Sequence, residues 1–264
     1  MAGRDERRET RDVTRTASDE TADGPSSLVS RLSSLRFSSI GTEALDDPAT
    51  DPAIVARMLA DIVVCNRWLG GTLAMRFGLA RLLQNADRGR ELTLFDVGTG
   101  AADLPCDARR WAERRGVSLV PLALERIPAA ARVARDAGVP IVLGCASALP
   151  LGPKSVDLVL LSQVVHHLDA DSAVRLLAAC STIARRGVIV ADLHRTWFAA
   201  PGFRLAGAVL GLHRITIADG VTSVQRGYTT SELRALCVRA GATNVTVATS
   251  FGSRVVAWWR TDGG

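Results

Sequence analysis

The sequence predicts an α/β protein with a mostly parallel seven-stranded sheet, helices on both faces and an antiparallel hairpin at its C-terminal end. Two observations support this fold class. From residue 92 onward, short continuous apolar runs alternate with amphipathic segments, as in a parallel sheet covered on both faces. Near the C-terminus, only three residues separate the runs 243–250 and 254–260. So short a link requires antiparallel pairing.

The elements are expected in the following order. Asp51 and Pro52 mark the start of a first helix, whose apolar residues between Ile54 and Val63 share one face. Leu69, Leu73, Phe77 and Leu82 indicate a second helix, which residues 66–71 join to the first. The later strands are expected at 92–97, 119–124, 141–143, 158–161, 187–191, 243–250 and 254–260, and the later helices at 103–114, 128–137, 171–184 and 231–240.

The chain divides into three predicted parts. Residues 1–50 begin with a stretch rich in Arg, Asp, Glu and Thr. Such a stretch buries too little apolar surface to offset chain entropy, so we expect a disordered or loosely ordered segment. Residues 51–88 are expected to form a helical cap or lid. Residues 89–264 are the expected ligand-binding domain.

Charge and composition exclude several classes of partner. The formal net charge is +5, yet residues 1–24 carry five Arg against seven acidic residues. No basic arm for nucleic acid is therefore expected. The apolar stretch 199–211 is too short to span a bilayer, and no signal peptide is visible, so we expect a cytoplasmic protein. The five cysteines have no CxxC spacing, and neither a metal site nor a disulfide framework is expected.

A nucleoside site is predicted at the ends of the first two strands. The pattern Asp-x-Gly-x-Gly closes the first strand, and Gly98 and Gly100 would allow a sharp turn close to a ligand. The next strand ends in Glu125, whose carboxylate could accept hydrogen bonds from both hydroxyls of a ribose. An ordinary tight turn and a helix N-terminal charge are the alternatives. Position and context together favour the nucleoside site.

Two kinds of cofactor compete for this site. A dinucleotide fingerprint needs a third glycine where this chain has Asp103, and a carboxylate there would repel a pyrophosphate. S-adenosylmethionine (SAM) carries no phosphate, and its ammonium group suits a carboxylate such as Asp96 or Asp103. The charges therefore favour SAM over a nicotinamide cofactor.

The motifs together resemble the class I SAM-dependent methyltransferases, a family with a Rossmann-like fold. The likeness covers about residues 92–260 and includes the stretches 144–150 and 156–168. It is greatest for the branch of ubiquinone and menaquinone C-methyltransferases and of small-molecule methyltransferases in polyketide pathways. It implies that residues 89–264 are a SAM-binding methyltransferase domain.

The resemblance also implies roles for individual residues. The glycines would face the methionine part of SAM, Glu125 the ribose, Ala146 and Ser147 the adenine. Two positions depart from the family pattern: Ala102 replaces a frequent glycine, and Cys145 replaces a frequent Asp. The complete set of expected cofactor-binding residues is Asp96, Gly98, Thr99, Gly100, Asp103, Glu125, Arg126, Ala146, Ser147, Ser162 and Gln163.

The catalytic candidates are His166 and His167, which follow the fourth strand. An imidazole titrates close to neutral pH and can act as a general base; capping and packing roles are the alternatives. His194 is a weaker candidate. The substrate is expected to be largely apolar. Trp68, Leu69 and Met75 are expected to form a lid, with Trp197, Phe198, Phe203 and Leu205 opposite; an apolar helical stripe that belongs to the core is the alternative.

The predicted function is SAM-dependent O- or C-methylation of a small phenolic, quinone-like or polyketide molecule. The alternatives are a SAM-binding accessory or cyclisation protein that transfers no methyl group and a nicotinamide oxidoreductase. We expect Glu125→Ala to weaken SAM binding and to leave the fold intact. A helix cap at Thr230 or Ser231 is expected near Tyr228.

Overall fold

The computed structural model describes residues 43–47, 49–83 and 87–261. After a short 3₁₀ turn at Ala44–Asp46, the chain forms eight helices and seven strands within these ranges. The helices are α1 (Pro52–Trp68), α2 (Gly71–Leu82), α3 (Asp103–Glu113), α4 (Pro128–Asp136), α5 (Ala170–Ile183), α6 (Ala199–Val209), α7 (Arg214–Arg226) and α8 (Thr230–Arg239). The strands are β1 (Glu91–Val97), β2 (Ser118–Glu125), β3 (Ile141–Leu143), β4 (Val156–Ser162), β5 (Ala184–Leu193), β6 (Thr246–Ser250) and β7 (Arg254–Arg260).

The strands form one seven-stranded sheet in the order β3-β2-β1-β4-β5-β7-β6. Strands β1 to β5 pair in parallel, whereas β7 is antiparallel to both β5 and β6. The predicted fold class is therefore confirmed. The direction of winding reverses between β1 and β4, and open α/β sheets bind ligands at the carboxyl ends of strands beside such a reversal.

Both faces of the sheet are covered. On one face, Leu176 of α5 and Leu233 of α8 pack with Val188 and Val190 of β5. On the other face, α2 and α3 contribute Leu79 and Trp111 to a second apolar cluster. Helix α2 lies very close to the sheet. A Cβ on Gly78 would come within 2.5 Å of the Ile189 side chain. This helix is thus part of the core.

Several local features differ from the sequence prediction. Helices α6 and α7 were not predicted, and α1 continues through Asn66 and Trp68, which the sequence assigned to a link. The N-cap of α8 is Thr229 instead of Thr230 or Ser231. Thr229 and Glu232 form a reciprocal capping box, in which each side chain accepts a hydrogen bond from the other residue's backbone N–H.

Most of the predicted disordered segment lies outside the described residues. Its last part is described, and there Glu43 is a buried residue with 6% of its surface exposed. No helix in the described ranges is long and apolar enough to cross a membrane.

Candidate functional site

The glycine turn follows β1 directly and has the conformation that its sequence predicts. Gly98 and Gly100 have φ values of 72° and 57°, a region that favours glycine. The backbone N–H groups of Gly98 and Thr99 both donate to the carbonyl oxygen of Leu124, at 2.8 and 3.2 Å. The turn is therefore tied to the tip of β2, and the two strand ends lie side by side.

Ala102 closes this turn at the position of the frequent third glycine. It is fully buried and has a φ of 58°. A non-glycine residue in this left-handed region costs about 1 kcal/mol. The Ala102 methyl group packs in a small apolar cluster with Cys106, Ala123 and Ala134, which offsets part of that cost. The departure from the family pattern thus preserves the turn.

Glu125 lies at the tip of β2 and is 5% exposed. Its Oε2 accepts a hydrogen bond from the Gly100 N–H at 2.9 Å. Its Oε1 accepts from the N–H groups of Arg126 and Ile127 at 2.8 and 2.9 Å. The carboxylate therefore fixes the glycine turn and the start of α4 at the same time.

A cavity of about 510 Å³ opens at this end of the sheet. It runs from the glycine turn, past the tip of β4, to α5 and α7, which line its far part. Every residue that the sequence predicted for the cofactor lines it, as do His166 and His167. The sequence reasoning did not select Glu43, Asn66 or Arg254, which also line the cavity.

Asn66 connects two of the predicted residues. Its Nδ2 donates to Asp103 Oδ2 at 3.1 Å, and its Oδ1 accepts from Gln163 Nε2 at 2.8 Å. The side chain is buried at the end of α1, with 2% exposed. The network joins α1, the glycine turn and the tip of β4, three parts of the chain that sequence spacing does not bring together.

Two carboxyl groups near the turn have raised pKa values. Burial raises the pKa of Asp96 to about 7, against the effect of its hydrogen bond from the Thr99 hydroxyl, and the charges of Asp103 and Glu125 raise it further. Burial also raises the pKa of Asp103, and the hydrogen bond from Asn66 opposes this. A cation placed here would favour the ionised form of both groups.

The predicted adenine side of the cavity is more open. Ala146, Ser147 and Cys145 line it, and Cys145 is exposed. The hydrogen bond with the Ser147 side chain lowers the pKa of the Cys145 thiol. Arg126 is an exposed residue whose Nη2 donates to the Leu45 carbonyl oxygen at 3.0 Å.

His166 lies in a 3₁₀ turn after β4 and is held by Asp192 at the end of β5. The Nδ1 atom of His166 lies 2.6 Å from Asp192 Oδ1, and the two side chains are 2% and 0% exposed. Burial raises the pKa of Asp192, but the charge and hydrogen bond of His166 outweigh this and hold it below its ordinary value. Asp192 is therefore ionised at neutral pH and must accept the hydrogen bond from Nδ1–H.

This arrangement leaves the other ring nitrogen as the one with a lone pair. His166 Nε2 is buried and has no hydrogen-bond partner among the described residues. Asp192 also accepts hydrogen bonds from the backbone N–H groups of Val165 and Leu193 at 3.1 and 2.7 Å. The carboxylate is thus fixed by backbone, and it fixes the tautomer and orientation of the ring.

His167 lies beside His166, with ring centroids 4.2 Å apart. Its Nε2 lies 3.8 Å from Glu43 Oε2, and Glu43 Oε1 accepts from Arg226 Nη1 at 3.2 Å. Glu43, His166 and His167 could together hold a metal ion, since one ligand atom from each lies within 4.8 Å of the others. Since Nδ1 of His166 bonds Asp192, Nε2 would be the ligand. A metal and a base role therefore exclude each other at this residue.

Comparison with known proteins identifies the central part of the chain. Residues 95–191, from β1 to the end of the β5 apolar run, match the family described as "Methyltransferase domain". This segment is a SAM-dependent methyltransferase domain. SAM is accordingly its cofactor, as the charge of the glycine turn predicted, and the resemblance to class I methyltransferases is confirmed at this level. No curated protein matches the chain.

Solved structures show the same fold. A SAM-dependent methyltransferase from Aquifex aeolicus is 15% identical, with a TM-score of 0.51, over 80% of this chain and 98% of that one. A structure described as PigF with S-adenosylhomocysteine is 15% identical, with a TM-score of 0.57, over 88% and 69% of the two chains. At such identities the likeness concerns the fold alone.

The residues of the cavity fit SAM. The carboxylate of Glu125 could accept a hydrogen bond from a ribose. The glycine turn would lose its close packing with any larger residue, because a Cβ on Gly98 would come 2.8 Å from Val164. Asp96 and Asp103 line the cavity, and an ammonium or sulfonium bound beside them would favour their ionised forms, whose pKa values burial raises. Three lining residues, Ser162, His166 and Arg254, each carry a buried polar atom without a partner among the described residues. Such atoms are consistent with a site built for a polar ligand.

The predicted lid is placed differently from the expectation. Of the three predicted lid residues and the four expected opposite them, Phe203 alone lines the cavity within the described ranges. Met75 is fully buried in the core beside β5, and Trp68, Trp197, Phe198 and Leu205 are exposed. The lid prediction is wrong for Met75, because α2 packs on the sheet. Helix α7 covers the far part of the cavity instead.

Proposed function

We propose that this protein transfers the methyl group of SAM to an oxygen or carbon of a small, largely apolar, phenol-, quinone- or polyketide-like molecule. SAM supplies an activated methyl group on a sulfonium. The protein must hold an acceptor about 3–3.5 Å from it, aligned and shielded from water. The observation that carries the proposal is the buried Nε2 of His166, free of partners among the described residues and fixed by Asp192.

His166 is the proposed general base. A phenolic oxygen or an electron-rich ring carbon gives up a proton when it gains a methyl group, and a base at hydrogen-bond distance accelerates this step. The lone pair of Nε2 is available because Asp192 accepts the hydrogen bond from Nδ1–H at 2.6 Å. Asp192 is then a positioning residue that also stabilises the imidazolium formed when Nε2 takes the proton.

The lining of the far part of the cavity supports an apolar acceptor with a few polar groups. Leu168, Leu176 and Ala179 contribute apolar surface from the segment around α5, and Val224 and Phe203 contribute more from the α6–α7 side. The polar members of this part are Glu43, His167, Ser172, Arg175, Thr216, Asp219 and Ser223. A planar aromatic molecule with one or two hydroxyl groups matches this composition.

The test is methyl transfer from SAM labelled in its methyl group to a panel of phenols, quinols and polyketide lactones. Label in any product, with equimolar S-adenosylhomocysteine, supports the proposal. Heated protein is the control for chemical methylation. If SAM binds but no panel member is labelled at any pH from 6 to 9, the non-methylating alternative, an accessory or cyclisation protein, replaces the proposal. Release of label only as methanol would contradict the substrate class.

A further inference from the structure

One buried arginine in the cavity has no assigned task. Three arginines line it, Arg126, Arg175 and Arg254, and the first two are exposed. Arg254, at the start of β7, is only 3% exposed. Its Nε donates to the Leu69 carbonyl oxygen at 3.2 Å, and its Nη1 is buried without a hydrogen-bond partner among the described residues.

Its surroundings leave the guanidinium short of acceptors. The nearby groups that favour its charge are Cys65 and Asp192, while burial, the largest effect, lowers the pKa of Arg254 to about 10. The Cys65 thiol is neutral at pH 7 because burial raises its pKa to about 11. Asp192 already accepts hydrogen bonds from His166 and from backbone. A buried guanidinium with unmet donors is costly unless an acceptor completes it.

The position of Arg254 is fixed by tight backbone packing. The junction between α1 and α2 packs against the β6–β7 turn so closely that a Cβ on Gly70 would lie 2.1 Å from the Phe251 carbonyl oxygen. A Cβ on Gly252 would lie 2.2 Å from the Leu69 carbonyl oxygen. Arg254 therefore reaches the cavity beside the end of α1, the helix whose Asn66 bonds Asp103.

We propose that Arg254 is the anion-binding residue of the cavity and holds a carboxylate, either that of the methionine part of SAM or an acidic group of the methyl acceptor. A guanidinium binds a carboxylate through two parallel hydrogen bonds. An amino acid is a zwitterion, and this end of the cavity offers it both signs: Asp96 and Asp103 for the ammonium, Arg254 for the carboxylate. The possibility that Arg254 holds an acidic group of the methyl acceptor rests on the proposed function. The possibility that it holds the carboxylate of SAM does not.

The experiment compares two ligands that differ in the amino-acid part. S-adenosylhomocysteine carries the carboxylate, and 5′-methylthioadenosine lacks it. Dissociation constants for both are measured by calorimetry on the full chain, on the Arg254→Gln and Arg254→Lys variants, and on the control Arg132→Gln, an exposed residue of α4 that does not line the cavity. Near-ultraviolet circular dichroism checks that each variant is folded. If Arg254→Gln does not fold, the two ligands are compared on Arg254→Lys, which keeps the positive charge but lacks the planar guanidinium that forms two parallel hydrogen bonds.

If Arg254 holds the cofactor carboxylate, Arg254→Gln weakens S-adenosylhomocysteine binding by about 10-fold or more and leaves methylthioadenosine unchanged. Benzoate, titrated into protein saturated with S-adenosylhomocysteine, tests the other source. Loss of benzoate binding in Arg254→Gln alone, with both nucleosides unaffected, assigns the residue to the acceptor. If Arg254→Gln weakens the binding of both nucleosides equally, Arg254 only supports the backbone at Leu69, and the proposal is overturned. Unchanged binding of all three ligands would also overturn it. Because no methyl transfer is measured, failure here is distinct from failure of the proposed function.

Discussion

The Glu125 carboxylate accepts a hydrogen bond from the Gly100 N–H at 2.9 Å, which joins the tips of β2 and β1. Its second oxygen accepts from two further backbone N–H groups, of Arg126 and Ile127. Each carboxylate oxygen has two lone pairs, so Oε1 is filled by its two backbone donors, and Oε2 keeps one acceptor site for a ribose hydroxyl. Glu125 thus shapes the turn, and its binding of the nucleoside stays a prediction.

Glu125→Gln should weaken the binding of SAM and S-adenosylhomocysteine by about 10- to 100-fold, because a charge-assisted acceptor is lost. Calorimetry measures this, with Glu113→Gln on the exposed side of α3 as the matched control. Glu125→Ala should also lower the free energy of unfolding by about 1–3 kcal/mol, since three backbone N–H groups lose their acceptor. The contacts thus revise the sequence-based expectation of an intact fold. Unchanged affinity in Glu125→Gln would remove the residue from the site.

Asp96→Asn should stabilise the ligand-free protein, and more so at high pH. Burial first, with neighbouring charges, raises the pKa of Asp96 to about 7. Between the unfolded value of about 4 and pH 7, the folded chain keeps a proton that the unfolded chain has released. The contribution of Asp96 to the free energy of unfolding therefore falls as pH rises through this window, and the full cost of burying its charge is present above pH 7. Asn removes the charge and still accepts from Thr99.

The measurement is urea unfolding of Asp96→Asn and wild type at pH 5 and pH 8. The gain in unfolding free energy should be larger at pH 8 by on the order of 2 kcal/mol. Titrating groups that do not interact with Asp96 are the same in both proteins and cancel. Exposed Asp136→Asn on α4 serves as the control and should show no such pH dependence. A gain that does not grow with pH would mean that Asp96 ionises normally in the folded chain.

His166→Gln should lower kcat by about 100-fold or more, because a general base is lost. His167→Gln is the matched control. The ring centroids of His166 and His167 lie 4.2 Å apart, and it is His166 whose Nδ1 bonds Asp192. Added imidazole should restore part of the activity of the first variant only. Equal losses in the two variants would contradict the assignment of His166 as base.

The sequence was sufficient for the strand tips but not for the side chains that meet across them. Asp96, Gly98 and Glu125 could be predicted because parallel neighbours place consecutive strand ends together, and their pattern is local. The sequence does not single out Asp192, because the fifth apolar run ends at Ala191 and its partner His166 lies 26 positions away. A polar residue closing a buried strand was the signal available.

Asn66 and Arg254 carried no comparable signal. Asn66 lies 37 positions from Asp103, and the contact depends on how α1 packs across the sheet edge. Arg254 begins a strand that pairs antiparallel with β5, so its place beside Leu69 follows from the register of that pairing and from the close approach of two turns. Neither relation is expressed by periodicity or spacing. Such contacts require the three-dimensional structure.

Asp192→Asn tests the positioning of His166, because it removes the charge at position 192 and leaves the size of that side chain unchanged. In wild type, Oδ2 accepts from the backbone N–H groups of Val165 and His166, and Oδ1 accepts from the Leu193 N–H and from His166 Nδ1. The amide of the Asp192→Asn variant has only one oxygen, so its NH₂ group must face the donors that one of the two carboxylate oxygens binds in wild type. If the amide oxygen stays with Val165 and His166, the NH₂ faces Nδ1. The ring then takes the tautomer with hydrogen on Nε2, which cannot accept a proton from the substrate.

The expected result is a fall in kcat of about 100-fold or more, with S-adenosylhomocysteine binding retained because Asp192 does not touch the glycine turn. Cofactor binding also reports that the variant is folded. The double variant Asp192→Asn with His166→Gln should be no slower than His166→Gln alone, since both changes remove the same lone pair and residues that act as a unit are not additive. Full additivity, or wild-type kcat in Asp192→Asn, would show that the carboxylate does not act through His166.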